Sequence, residues 1–247
     1  GDGMSTLANL DNVFIGHSAG GGDWSGNTLS SYNVAIGNYA MDAAMDAALR
    51  NTSVGFTSLS AVTTGDDNVA VGFEAGNAIT TGVENVSIGS GAGDLITTAN
   101  STVFIGYNAG NAVTVTGGSN VSDGTVGIGV NALGSLTSGT ANTAVGMQAM
   151  DGLTTGSYNT AVGKNALGNA TSNADQNTAI GRGAMSGAII AEDLNNCVAV
   201  GDAALAGALE EEASGTVAIG KSSLNSLTTG VGNIAIGYNA LDAEDTG

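Results

Sequence analysis

The chain has 247 residues, enough for one large domain or a long array of small units. Its 41 glycines, its lack of proline and its 4% aromatic content exclude a core built on large side chains, while 42% hydrophobic residues set it apart from Gly-rich disordered chains. With 22 acidic residues against 4 basic ones the formal charge is −18, which opposes binding to nucleic-acid phosphates and anionic lipid heads, and no apolar run of about twenty residues is present to insert into a bilayer.

An Ile/Val-Gly pair recurs along the chain, with its glycines at 16, 37, 55, 72, 89, 106, 129, 146, 163, 181, 201, 220 and 237. The shortest spacing is 17 and the longest 23, and the surplus always falls after the motif, so insertions belong to loops. Each copy predicts one short strand. The residue before the Gly is Ile or Val throughout, from Ile15 to Ile236, and the residue three before it is β-branched throughout, from Val13 to Ile234. These two rows are two residues apart and share a strand face, which is expected to point inward. The row between them is mostly small, as in Ala35, Ala144 and Ala161, with Phe14, Phe104 and Gly127 as exceptions; it is expected to face outward.

Three residues after each Gly stands Ala or Ser, then Leu, Met or Gly, which predicts a second buried wall, continued by Val62, Ile79, Ile96, Leu136, Leu153 and Leu227. Met41, Met45 and Leu49 at four-residue steps predict a short helix in one coil. Four before the Gly, nine copies carry Asn, a column suited to amide ladders between rungs and to left-handed corners. One such unit cannot bury its apolar rows alone, so the units must stack. The expectation is an all-β chain: a parallel β-solenoid, or β-roll, of thirteen coils with a period of about 17 residues, running over 1–247 as a single repetitive segment.

Several chemical motifs are by-products of this repeat. Gly215 to Ser222 matches a P-loop and Gly127 to Ala132 imitates a dinucleotide fingerprint, but both overlie strand rows. His17 and Cys197 are the only residues of their kinds and stand ten repeats apart, so no nucleophile–base pair is assigned. Cys197 occupies an Asn-row position, which points to a buried or corner thiol. Asp66, Asp67, Glu74 and Glu84 leave a tailspike-type glycosidase open as an alternative. Acidic turns at Asp66-Asp67, Asp193 and Glu210-Glu211-Glu212 are candidate Ca²⁺ contacts, although no EF-hand or nonapeptide pattern is present, and no metal or cofactor is assigned. The Thr-Thr pairs at 63–64, 80–81, 97–98, 154–155 and 228–229 raise ice binding as a further alternative; mostly standing before Gly, they read as turns.

The units at 142–150 and 159–167 read Asn-Thr-Ala-Val-Gly-x-x-Ala followed by Met150 or Leu167. They resemble repeats of phage tail-fibre proteins, and also the shorter Ser-Val-Ala-Ile-Gly repeats of YadA-like trimeric autotransporter adhesin heads. The resemblance covers residues 12–241, with a longer period than the adhesin repeat, which leaves the coil cross-section and handedness open. It implies a side-by-side homotrimer and an extracellular location, on a virion tail fibre or a bacterial cell surface. It also implies a non-enzymatic structural and adhesive role whose partners are its own copies and a host cell-surface glycan or protein receptor, with no nucleic acid and no membrane insertion. The row directly after each Gly tolerates bulk and charge, and it supplies the candidate binding residues: an aromatic stretch at Phe56, Phe73 and Tyr107 and a cationic stretch at Lys164, Arg182 and Lys221. Packing between protomers is the competing role for that row.

Overall fold

The structure is a computed structural model that describes residues 11–22, 29–113, 123–170, 174–187, 194–209 and 213–243. The chain divides into two compact units, Gly1–Gly124 and Thr125–Gly247. Among the described residues the first holds six strands, β1 Val13–Ile15, β2 Val34–Ile36, β3 Thr52–Val54, β4 Val69–Val71, β5 Val86–Ile88 and β6 Val103–Ile105. Among those of the second are seven, β7 Val126–Ile128, β8 Thr143–Val145, β9 Thr160–Val162, β10 Thr178–Ile180, β11 Val198–Val200, β12 Val217–Ile219 and β13 Ile234–Ile236.

Within each unit consecutive strands pair in parallel and in register, so that equivalent row positions lie opposite each other. In the first unit Val86 faces Val103, Ser87 faces Phe104 and Ile88 faces Ile105; in the second Thr143 faces Thr160, Ala144 faces Ala161 and Val145 faces Val162. Each pairing closes one turn of a parallel β-solenoid, five turns in the first unit and six in the second. Insertions raise the base spacing of 17 to a mean of about 18 residues per turn in each unit.

The strand faces are the reverse of the sequence expectation. The middle residue points inward: Ala35, Ala70, Phe104, Ala144, Ala161, Ala179, Ala199 and Ala218 are fully buried, as are Ser53 and Ser87. The β-branched rows on either side face outward, with Ile36, Val71, Ile88, Val162, Ile180 and Ile219 each 36–40% exposed. The reason is the thinness of the coil. Each strand contributes one inward residue, and the space behind it is already filled by the opposite wall. That wall stands as expected: Ala40, Ala75, Ala132, Ala149 and Ala166 are buried, and so are Leu59, Leu133, Met150 and Leu167, with Val62, Ile79, Ile96, Leu136, Leu153 and Leu227 behind. A small middle residue is what such a core accepts. Where the middle residue is large, the wall gives way: a Cβ on Gly110 would run into the Phe104 ring, and one on Gly20 into the Phe14 ring.

The motif glycines make the stacking close. Gly163 has φ +133°, and a Cβ there would come within 2.6 Å of the Gly181 carbonyl carbon on the next coil. A side chain is excluded both by conformation and by space. The predicted helix at 41–49 is absent. The N–H groups of Met41, Ala43 and Asp46 donate to carbonyls of Ser58, Ser60 and Thr63 on the next coil, so none of the three is left for an i−4 helical bond.

The Asn column forms a buried ladder. Asn51, Asn68 and Asn85 each donate from Nδ2 to the Oδ1 of the Asn one coil earlier, at 3.0–3.1 Å, and their second Nδ2 hydrogen reaches the carbonyls of Gly65, Gly82 and Ala99. Thr102 continues the ladder through its hydroxyl to Asn85 Oδ1 at 2.6 Å. In the second unit Asn142, Asn159 and Asn177 repeat it. The left-handed corner lies one residue earlier than the column, at Arg50, Asp67, Glu84, Tyr158 and Gln176, all with φ of 57–60°.

Candidate functional site

Because within each unit a motif Gly is stacked directly on the next, the residue after it begins a row on the surface of each unit. In the first unit the row carries rings. Phe56 and Phe73 are 44% and 50% exposed and stack at 5.6 Å with an interplanar angle of 8°. Tyr39 meets Phe56 edge-on at 5.8 Å, and His17 meets Tyr39 edge-on at 5.4 Å. Tyr39 is one position later than the row, where the row residue Asn38 accepts the His17 backbone N–H on its Oδ1 at 2.9 Å. Sequence reasoning therefore missed Tyr39; the signal was an Asn beside an aromatic residue where its neighbours place the ring first. Tyr107, 56% exposed, lies two rungs beyond Phe73 with Ser90 between them and does not join the stack.

In the second unit the row carries charge. Lys164, Arg182, Asp202 and Lys221 follow the stacked glycines 163, 181, 201 and 220 of β9 to β12. Lys164 and Arg182 line one shallow groove with Asn165, Ser186 and Asp202. Arg182 donates to Asp202 Oδ2 at 2.9 Å, while Lys164 and Lys221 enter no ion pair among the described residues. The fourth cation, Arg50, grips Asp67 through two bonds of 2.6 and 2.7 Å, and Asp66 lies 3.9 Å away. The Arg50 hydrogen bond holds the Asp67 carboxyl below its ordinary range.

The remaining chemical candidates are used by the fold. Cys197 is fully buried and its Sγ contacts the Ala213 carbonyl at 3.4 Å; burial pushes the thiol up, away from a nucleophilic thiolate. The P-loop match holds strand β12, with Thr216 buried and turns rather than a helix after it. Glu84 accepts from Ser101 Oγ at 3.0 Å. The first Thr of three turns bonds the next coil's carbonyl, Thr63 to Thr80, Thr80 to Thr97 and Thr137 to Thr154, at 2.9–3.1 Å. Asp193 and Glu210 to Glu212 lie outside the described residues. Burial pushes the carboxyls of Asp42, Asp94 and Asp151 up. Among the described residues no helix is long and apolar enough to cross a membrane. Comparison with protein-family models, curated proteins and solved structures gives no significant match.

Proposed function

We propose that the chain is a non-enzymatic structural and adhesive segment of an extracellular fibre, assembled as a side-by-side homotrimer and most similar in kind to a phage tail fibre. The observation that carries this reading is the outward strand face. In each unit it presents two rows of Val, Ile and Thr without a single charge, on a chain whose formal charge is −18. An exposed face of this kind, contiguous along many rungs, is the mark of an interaction surface. A partner that covers it rung by rung must share the period, and a second copy of this chain does. The number three comes from the resemblance of the Asn-Thr-Ala-Val-Gly repeats. A YadA-like adhesin head is the second form of the same reading.

Adhesion is assigned to the row after the motif Gly, since exposed rings suit sugar faces. The test is binding of the labelled chain to host cells, before and after changing Phe56, Phe73 and Tyr107 together to Ser. Lost adhesion with unchanged molecular mass supports the adhesive role. Loss of mass with the triple change assigns these rings to assembly instead.

A further inference from the structure

The groove between Lys164 and Arg182 combines features that the adhesive reading does not by itself require. Three of the four cations, Lys164, Arg182 and Lys221, stand in one row on a run of four consecutive coils, with Asp202 on the coil between Arg182 and Lys221. At a rung spacing of about 4.8 Å, Lys164 and Arg182 are neighbours, and Lys221 is about 9.6 Å beyond Arg182. Asp202 orients the Arg182 guanidinium and leaves its other N–H groups for a ligand. The Asn165 amide and the Ser186 hydroxyl line the same groove and offer neutral donors and acceptors.

We propose that this row binds an acidic polysaccharide that carries one carboxylate on every second sugar. The first carboxylate sits on Arg182 within reach of the flexible Lys164 side chain, and neighbouring hydroxyls meet Asn165 and Ser186. Two rungs span roughly a disaccharide, so the next carboxylate reaches Lys221, while Asp202 repels an anion on the sugar between. A polymer charged on every sugar meets that repulsion and the field of a −18 chain as well. The inference names the ligand class of the proposed adhesive row and rests on that reading.

The test is titration of the full chain at low ionic strength with labelled oligosaccharides of equal length: hyaluronate, with alternating carboxylates, polygalacturonate, charged on every sugar, and neutral dextran. Hyaluronate is expected to bind about tenfold tighter than polygalacturonate and dextran not to bind. Lys164→Gln with Arg182→Gln is expected to weaken hyaluronate about tenfold, with the melting temperature unchanged because both side chains are exposed. Asp202→Asn is expected to narrow the preference. Equal binding of the two acidic polymers overturns the proposal, as does hyaluronate binding that survives the double change. If no saccharide binds while the chain still adheres to cells, this inference falls and the adhesive function stands. A lower molecular mass in the double variant, with hyaluronate binding unchanged, also overturns it and gives the groove to contacts between copies.

Discussion

Ala161 and Val162 are adjacent on β9, yet Ala161 is fully buried and Val162 is 38% exposed. Ala161→Asp therefore places a carboxylate in a filled, apolar space and is expected to cost about 3 kcal/mol or more. Val162→Asp is expected to cost the isolated chain about 1 kcal/mol or less, and both can be read by thermal melting of chains kept monomeric by dilution. Residue size alone misled the sequence reading, because β-branched rows are normally the buried ones. A better signal was present. In both copies whose middle residue is Phe, the residue six later is Gly, Phe14 with Gly20 and Phe104 with Gly110, where most other copies carry Leu or Met. Such an exchange of volume is expected if the two positions face each other across a core.

The ladder is the element whose role was most legible, because an Asn column at a fixed offset has few physical uses. The side chains of Asn51, Asn68, Asn85 and Asn159 each take two hydrogens and give two. Asn68→Ala removes the acceptor for the Asn85 N–H and one Asn85 Nδ2 hydrogen, and it removes the donor to the Gly82 carbonyl. A loss of about 1–3 kcal/mol is expected in denaturant unfolding. Cys197 interrupts the ladder: its N–H still donates to Asn177 Oδ1 at 2.9 Å, but the thiol makes only a weak contact where the Asn rungs have an amide N–H. Cys197→Asn is expected to restore that rung and raise stability by about 0.5–1.5 kcal/mol in the same measurement. The four-residue spacing of Met41, Met45 and Leu49 was not legible as coil, since a corner that turns inward twice reproduces a helical step.

At the scale of the molecule, charge and its absence govern behaviour. Burial raises the carboxyls of Asp42, Asp94 and Asp151 above the ordinary 3.8, so the folded chain binds protons more readily than the unfolded chain. Their contribution is present below 3.8 and is lost as pH rises through their folded values. Asp67 is shifted the other way, and its contribution is lost only as pH falls through a value below 3.8. The melting temperature is therefore expected to rise as pH is lowered from neutral toward about 4, helped by the fall in net charge. A melting temperature that falls steadily over that range contradicts this assignment. The repeat and the second wall could be read from residue spacing, but the exposure of the Val and Ile rows could not, because it depends on the thickness of the folded coil. That exposed face makes self-association the central claim, and light scattering on the whole chain tests it most directly. The wild type is expected at three times the chain mass, and the chain with Val145, Val162 and Ile180 all changed to Lys at the mass of one chain with its strand signal intact. A wild type that remains at the mass of one chain at all concentrations would contradict the account.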